Sequence, residues 1–227
     1  MRARHRHFNP KDAGAIAAYD ARFISGLSDG DNVSTWVSRT GSNDAAQATV
    51  GKQPNYETNE INGQPVVNFT PANSDEFEIN ISVPSSATVV AVQRRSTTGI
   101  RTINFGTTTS NVYALWWDTD NVIYLSWSTG AFNTFSPAQT GTGARIITST
   151  KNGTTSSQVY LNGATFRAAI APAASSGSFT RIGRSGVAGA YSNGAMGSAC
   201  LIDAFVSDGL RKRLEHAAAF SFKIACN

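Results

Sequence analysis

The segment from Gln158 to Phe166, QVYLNGATF, constrains the fold of this chain more than any other stretch. Its side chains alternate in period two on either side of the dipeptide Asn162-Gly163. This dipeptide supplies the two residues of positive φ that a type I′ turn requires, and such a turn joins two adjacent antiparallel strands. The segment therefore predicts a tight hairpin late in the chain and indicates an antiparallel, all-β architecture.

Much of the remaining chain consists of short segments with strand character, each bounded by Gly, Asn, Asp or Pro. The run Thr88–Val92 is almost continuously apolar, as expected for a central strand that is buried on both faces. Further strands are predicted at about residues 16–21, 33–36, 66–69, 77–81, 100–106, 111–117, 122–128, 145–150 and 156–161. This spacing is typical of a β-sandwich or jelly roll.

The end of the chain follows a helical period instead. Ser207 can act as an N-cap. After it, apolar residues recur at helical spacing, namely Leu210, Leu214, Ala217, Ala218 and Phe222. The charged residues fall largely on the opposite side, and we expect them to face solvent: Arg211, Lys212, Arg213 and Glu215. One short amphipathic α-helix is therefore predicted to close the domain.

Composition favours a single weakly charged domain with a basic arm. The chain has 227 residues, of which 41% are hydrophobic, and no linker divides it, so residues 11–227 can form one core. Arg2, Arg4 and Arg6 lie in residues 1–10, and without them 16 basic residues face 15 acidic ones. Such an arm could contact nucleic acid or an acidic protein surface, although a frayed, solvated terminus is the simpler interpretation. No basic stripe with interleaved aromatic residues follows it, so nucleic-acid binding by the whole protein is disfavoured.

Targeting signals and cysteine usage are consistent with synthesis in a reducing cytoplasm. The basic start is not followed by an apolar stretch, so no secretory signal is predicted. No run approaches the roughly 18 apolar residues of a membrane span. Cys200 and Cys226 match neither a disulfide framework nor a zinc site, and the sequence leaves open whether they pair with each other or stay free.

Several motifs in order resemble the LamG-like, concanavalin A-like lectin and glucanase domains. Phe8–Ala21 is similar to their opening, and Ile61–Phe69, INGQPVVNF, is the most specific piece. The closing order is also similar: Arg181-Ile182-Gly183, Gly194–Gly197, Leu201–Phe205 and the helix. Such domains are frequent in bacteriophage structural proteins and in large bacterial surface proteins. The resemblance implies one antiparallel β-sandwich, a concanavalin A-like jelly roll, with one short C-terminal α-helix. A shared fold does not by itself assign a function.

The acidic and histidine residues do not form a convincing catalytic constellation. Glu76 and Glu78 would share a strand face, yet the Glu-x-Asp-x-x-Glu pattern of the family's glucanases is missing. His5, His7 and His216 accompany no Ser or Cys nucleophile motif. We therefore predict a non-enzymatic protein without catalytic residues, and glycan hydrolysis by the two glutamates is the weakest alternative.

Two acidic loops could in principle hold calcium. Asp29-Gly30-Asp31 and Asp118–Asn121 offer the oxygen ligands that calcium prefers. Neither has the twelve-residue EF-hand spacing, and Asp and Asn also form ordinary turns through their own side chains. We predict no metal ligands and no cofactor, with calcium left open.

An aromatic hairpin is the strongest candidate for a binding surface. If residues 118–121 form its turn, the directly opposed pairs share a sheet face: Trp117 with Val122, Trp116 with Ile123, Leu115 with Tyr124. One face is then apolar core, and the other carries Tyr113, Leu115, Trp117 and Tyr124. An aromatic outer face requires a cover, which could be a glycan, a neighbouring protein or the chain's own loops. We predict Tyr113, Trp117 and Tyr124 as ligand- or partner-binding residues.

The resemblance and the missing signal favour a virion protein. We expect a structural or adhesive surface protein of a bacteriophage particle, such as a capsid decoration, a head-fibre or a tail-associated module. A phage particle leaves the cell by lysis and needs no export signal. Arg2, Arg4 and Arg6 could anchor the domain to other virion proteins, host-surface glycans are further candidate partners, and a homo-oligomer is left open. The alternative is a carbohydrate-binding lectin that uses the aromatic hairpin.

Overall fold

The computed structural model describes residues 10–97, 101–103, 105–107, 113–117, 123–127, 133–135, 140–166, 170–186 and 190–227. The predicted anchoring residues Arg2, Arg4 and Arg6 lie outside these ranges. Side chains are described throughout them except at positions 103, 113, 114, 116, 117 and 133–135. In the described part of the chain no helix is both long and apolar enough to cross a lipid bilayer.

Seventeen strands and one α-helix are present in the described ranges. The first strands are β1 (Ala15–Asp20), β2 (Thr35–Trp36), β3 (Ala45–Ala46), β4 (Asn55–Ile61), β5 (Gln64–Phe69), β6 (Phe77–Ser82), β7 (Ala87–Arg95), β8 (Thr102–Ile103) and β9 (Phe105–Gly106). The others are β10 (Tyr113–Trp117), β11 (Ile123–Ser126), β12 (Asn133–Phe135), β13 (Arg145–Asn152), β14 (Ser156–Leu161), β15 (Ala164–Thr165), β16 (Ser178–Ile182) and β17 (Gly194–Ile202). Helix α1 spans Asp208–Phe222, and short 3-10 helices occupy Pro10–Ala13, Ala21–Phe23, Val50–Lys52 and Pro71–Asn73.

A large antiparallel sheet forms one layer. Its order is β15-β14-β13-β7-β17-β5-β4, and β1 pairs with β17 as well. Strand β7 lies between β13 and β17 and pairs with both along most of its length. Its apolar residues are buried on both faces, because Val89 and Ala91 contact one core cluster whereas Val90 and Val92 contact another. The prediction of a central strand buried on both faces is confirmed.

Two smaller antiparallel sheets form the facing layer. Their orders are β12-β11-β10-β8 and β2-β3-β6-β16-β9. Only residue 104 separates β8 from β9, so the two sheets are joined at this point. Large buried rings fill the space between the layers, namely Tyr19, Trp36, Phe69, Phe77, Phe105, Trp127 and Phe179. The predicted all-β antiparallel sandwich is confirmed.

Helix α1 covers the outer face of the large sheet. The Ser207 hydroxyl accepts a hydrogen bond from the backbone N–H of Leu210, which confirms the predicted N-cap. Leu214, Ala219 and Phe222 are buried against the aliphatic face of the sheet. The predicted C-terminal helix is therefore present, and it seals a second, smaller core.

The prediction that Arg211 and Glu215 face solvent is wrong. Their residues are 3% and 0% exposed, respectively, and their side chains form an ion pair with each other. The Arg211 guanidinium also lies 3.8 Å from the ring centroid of Tyr160 and donates to the carbonyl oxygen of Gly163 at 3.4 Å. These groups belong to β14 and its turn. The neighbouring hairpin therefore covers Arg211 and Glu215, which the helical period alone does not reveal, whereas Lys212 and Arg213 are exposed as predicted.

The Asn162-Gly163 hairpin forms as predicted. Asn162 and Gly163 have φ of 48° and 85°, and the flanking residues pair Tyr160 with Thr165 and Leu161 with Ala164. The turn also contacts the end of the chain, because the backbone N–H of Asn227 donates to the carbonyl oxygen of Asn162 at 2.8 Å.

The register predicted for the aromatic hairpin is wrong by one residue. In β10 and β11, Trp117 pairs with Ile123 and Trp116 pairs with Tyr124, and an irregularity follows Tyr113. The connection is thus five residues long, one more than the predicted turn of residues 118–121. A one-residue shift exchanges the two faces of a strand. Leu115, which was predicted on the outer face, is accordingly buried in the core together with Ile123 and Leu125.

Candidate functional site

The three residues predicted to bind a ligand lie on β10 and β11. Tyr124 is partly buried, and its backbone partner is Trp116 rather than the predicted Leu115. The side chains of Tyr113 and Trp117 lie outside the described part of the structure. The predicted binding role of Tyr113, Trp117 and Tyr124 therefore stays a prediction.

The two candidate catalytic carboxylates form ion pairs that join β6 to β16. Glu76 is 3% exposed, and its Oε2 lies 3.0 Å from Nε of Arg181 and 3.3 Å from Nη1 of Arg184. Glu78 is exposed and lies 3.1 Å from Nη2 of Arg181. A glycosidase acid or nucleophile must reach the sugar, whereas Glu76 is enclosed by guanidinium groups. The contacts of this cluster favour a structural role for it.

The carboxylates of the first acidic loop accept hydrogen bonds that join the loop to β4 and close its own turn. Oδ1 of Asp29 accepts hydrogen bonds from the backbone N–H and the hydroxyl of Thr58 at 2.7 and 2.9 Å, and these bonds lower the pKa of Asp29. Oδ2 of Asp31 accepts from the backbone N–H of Ser28 at 2.7 Å. The second loop, Asp118–Asn121, lies outside the described ranges. Within those ranges, no group of three or more acidic, His or Cys side chains is arranged to hold a metal ion.

A groove of about 240 Å³ lies between the turn after β1 and strand β2. We call it the Phe23 groove. Its lining combines apolar and polar side chains, among them Phe23, Ile24, Val37, Asn32, Ser34 and Thr35. Its volume is slightly below the roughly 300–1,000 Å³ of pockets that enclose a drug-sized molecule. Such a groove suits partial enclosure of a small polar ligand.

Phe23 presents an exposed aromatic ring on a fixed base. The residue is 54% exposed, and the neighbouring Val37 is 63% exposed. The Arg39 guanidinium carbon lies 3.9 Å from the Phe23 ring centroid, and this contact holds the ring in place. Contiguous exposed apolar side chains with a polar surround mark interaction surfaces.

Asp20 fixes the backbone that carries Phe23. It is the N-cap of the 3-10 helix Ala21–Phe23, and its Oδ1 accepts from the backbone N–H of Arg22 at 3.1 Å. The same carboxylate accepts from Nε and Nη2 of Arg22 at 3.0 and 2.6 Å. This bidentate pairing is geometrically specific. The ring therefore projects from a turn whose backbone and charges are both satisfied.

A second, smaller cavity of about 80 Å³ lies under α1 and also has Asp20 in its wall. Cys200 lines it, and burial raises the pKa of this thiol to about 12. The thiol therefore stays protonated and weakly nucleophilic. Cys200 and Cys226 are both free, which resolves the pairing that the sequence left open.

Sequence reasoning did not single out Phe23. The available signal was an aromatic residue in the short turn Ala21-Arg22-Phe23 directly after a predicted strand. A phenylalanine there is equally compatible with burial. The structure places this ring at the surface, beside the Arg39 guanidinium.

Comparison with protein-family models and with curated proteins found no match to this sequence. Solved structures of similar shape do exist. The binding domain of Paraclostridial mosquitocidal protein 1 has a TM-score of 0.65 at 12% identity, over 92% of this chain and 53% of that one. Domain 4 of AbnA, an extracellular arabinanase from Geobacillus stearothermophilus in complex with arabinotriose, has a TM-score of 0.58 at 12% identity, over 89% of this chain and 98% of that one.

A sialidase from Trypanosoma rangeli has a TM-score of 0.53 at 13% identity, over 95% of this chain and 34% of the enzyme. The chain thus spans about a third of the sialidase and about half of the toxin binding domain. At these identities the likeness shows the fold alone. The structural neighbours are β-sandwich domains of lectin-like shape, in agreement with the fold predicted from the sequence.

Proposed function

We propose that this chain is a non-catalytic glycan-binding module and that the Phe23 groove is its binding surface. The observation that carries the proposal is the exposed Phe23 ring, which is held beside a groove lined by hydroxyl and amide groups. The fold supports it, because the arabinanase domain of similar shape was solved with arabinotriose. The proposal agrees with the alternative hypothesis of a carbohydrate-binding lectin, but it places the binding surface at different residues from those predicted.

The chemistry of the groove matches that of a sugar. A pyranose or furanose ring has an apolar face of C–H groups, which can pack on the exposed Phe23 ring. Its hydroxyls can exchange hydrogen bonds with Asn32, Ser34 and Thr35, which are all exposed and line the groove. Ligand sites typically combine apolar contact area with a few placed polar groups. The proposed ligand is therefore a neutral or weakly charged oligosaccharide.

A glycan array with purified protein tests the proposal. Phe23→Ala is expected to weaken binding about tenfold, because covering about 55 Å² of ring contributes about 1.4 kcal/mol. Phe220→Ala is the matched control, since Phe220 is 70% exposed on α1, an element that does not line this groove. Unchanged glycan binding in Phe23→Ala, with the fold intact, would rule the groove out as the binding surface.

The predicted aromatic hairpin is tested in the same assay. Loss of binding in Trp117→Ala, but not in Phe23→Ala, would move the site to the hairpin and leave the lectin function in place. Absence of binding to any glycan in the wild-type protein would contradict the function itself.

The virion role stays a prediction, because the fold does not bear on where the protein acts. Co-purification with assembled phage particles, and its loss on deletion of residues 1–10, is the result expected from that prediction. A glycan-binding module and a virion component are compatible, so this measurement is independent of the array.

A further inference from the structure

The space of about 80 Å³ under the helix, which we call the α1 cavity, has a floor of short side chains. Ala18 on β1, Cys200 on β17 and Val90 on β7 line it and are successive backbone partners across three adjacent strands. Directly opposed residues share a sheet face, so these three side chains form one row beneath α1. Ser198, two residues before Cys200, extends the row along β17. Because all four side chains are short, space remains between the sheet and the helix.

The helix also presents short side chains to this space. Ala217, Ala218 and Ser221 line the cavity, and their spacing places them on one side of α1. At the end of the helix, the Phe222 ring packs directly on Gly197 of β17, where an added Cβ atom would overlap the ring. This contact fixes the distance between the helix and the sheet. The α1 cavity is therefore bounded by packed elements on both sides.

Charged side chains complete the lining, and solvent reaches the cavity. Cys200 is partly exposed, so the space beside its thiol is accessible from outside. Arg22, Arg39 and Asp20 also line the cavity. The Asp20 carboxylate neutralises Arg22, because it accepts from Nε and Nη2 of that guanidinium at 3.0 and 2.6 Å. The net charge of the lining is therefore set by Arg39.

Arg39 gives the cavity a positive charge. No carboxylate of the described residues forms an ion pair with it, and its contact with the Phe23 ring neutralises no charge. Its charge acts inside the cavity, since burial raises the pKa of Cys200 to about 12 and the Arg39 charge opposes this rise. An anionic group beside Arg39 would therefore be stabilised, and an apolar group could occupy the space between the sheet and the helix.

We propose that the α1 cavity binds a small aliphatic carboxylate, whose alkyl chain lies between β17 and α1 and whose carboxylate pairs with Arg39. Guanidinium groups bind carboxylates through paired N–H donors. The volume sets the length of the chain, because a cavity of roughly 150 Å³ encloses benzene and this cavity has about 80 Å³. The chain therefore has roughly three or four carbons, as in butanoate or pentanoate. This proposal does not depend on glycan binding at the Phe23 groove.

NMR titration of the isotope-labelled protein with pentanoate and with 1-pentanol tests the site, because the two ligands have chains of similar length but only one carries a charge. Pentanoate is expected to bind at least about tenfold more tightly, since only it forms charge-assisted hydrogen bonds. Arg39→Gln should weaken pentanoate binding about tenfold and leave 1-pentanol binding unchanged. Arg213→Gln is the matched control, because Arg213 is exposed on α1, does not line the cavity and carries the same charge.

Filling the cavity tests its position. Ala218→Leu should abolish binding of both ligands, whereas Ala225→Leu, at an exposed alanine outside the cavity, should bind them as the wild type does. Equal pentanoate affinity in Arg39→Gln and the wild type, or retained binding in Ala218→Leu, would overturn the proposal.

The wild-type protein alone decides if a variant does not fold. Saturation with pentanoate should shift the backbone amide resonances of Ala217 and Cys200, which lie on opposite walls of the cavity. Unchanged resonances at both positions would overturn the proposal. Neither titration reports on the Phe23 groove, so the glycan array tests the proposed function separately.

Discussion

The two faces of the large sheet are both buried, yet they are stabilised in different ways. The inner face packs against interlocking aromatic rings, and Phe179 alone lies 5.8 Å from Phe105 and 6.3 Å from Trp127 between ring centroids. The outer face consists of small aliphatic side chains under one helix. Area and close packing therefore stabilise the inner face, whereas the outer face has less apolar surface to bury.

On the outer face, polar contacts compensate for the smaller apolar surface. The buried Arg211–Glu215 pair joins α1 to the β14–β15 hairpin. At the other end of the helix, the Asn62 side chain donates to the carbonyl oxygens of Phe222 and Lys223, at 3.0 Å each. A region that depends on a few specific contacts is more sensitive to the loss of one partner than to the loss of apolar volume. Two equally buried faces of one sheet can therefore differ in how well they tolerate a substitution.

The largest effect is expected from a cavity on the inner face. Phe179→Ala should lower the free energy of unfolding by about 3–5 kcal/mol, because it removes a fully buried ring from between two others. Chemical denaturation measures this value. Phe220→Ala on the outer surface of α1 is the control and should change stability by less than about 0.5 kcal/mol. A small loss for Phe179→Ala would mean that the inner face is loosely packed.

Removal of one charge tests the outer face. Arg211→Met should destabilise the protein by about 3 kcal/mol, because it leaves the Glu215 carboxylate buried without its cation. The double variant Arg211→Met/Glu215→Leu should recover most of that loss, since no charge is then left buried. Denaturant midpoints of the two variants give the comparison. If the double variant is as unstable as the single one, packing rather than charge holds the helix.

The buried carboxyl of Asp75, just before β6, should make the free energy of unfolding depend on pH. Burial raises the pKa of Asp75 to about 6, so the folded protein holds this proton more tightly than the unfolded chain does. The stability that this carboxyl contributes should therefore be greatest below its pKa in the unfolded chain, about 4, and should fall as the pH rises towards 6.

Asp75→Asn should remove this slope and raise stability at pH 7 by up to about 2 kcal/mol, because the amide oxygen can still accept from the backbone N–H of Thr70. Denaturation between pH 3 and pH 8 measures the slope. Asp29→Asn is a control of opposite sign, since hydrogen bonds from Thr58 lower the pKa of Asp29 and its contribution is lost as the pH falls. An unchanged slope in Asp75→Asn would contradict the assignment.

The smallest effect is expected at the hairpin that supports the outer face. Gly163→Ala should lower the free energy of unfolding, measured by chemical denaturation, by about 1–2 kcal/mol. The φ of Gly163 is +85°, and an added Cβ would lie 2.2 Å from the carbonyl oxygen of Asn227. Gly153→Ala, with φ of +52° and no atom within 4 Å of the added Cβ, is the control for the strain alone. Equal losses in the two variants would show that the Asn227 contact contributes nothing.

Local chemistry made part of this structure predictable. The Asn162-Gly163 turn forms because two residues that tolerate positive φ stand side by side, and no distant contact is needed to select it. Ser207 caps α1 for a similarly local reason. The β10–β11 register depended instead on the length of the connection and on an irregularity after Tyr113, and neither is encoded in the alternation of side chains.

The candidate site was less accessible to sequence reasoning than the fold. Phe23 looks like any core phenylalanine until Asp20, Arg22 and Arg39 are placed around it. Arg95 and Arg145 are 50 positions apart along the chain, and the pairing of β7 with β13 brings them together. Sequence periodicity identifies the face on which a residue lies, but not which residues of other strands share that face.

Local sequence patterns specify the all-β class, the late hairpin, the central buried strand and the closing helix, because each follows from turn chemistry or from a period of two or 3.6 residues. Packing between distant segments sets which charges are buried and which aromatic ring is exposed. Those outcomes depend on contacts between segments far apart in the chain, and the free energy of a buried charge or ring is set by its neighbours rather than by its own type.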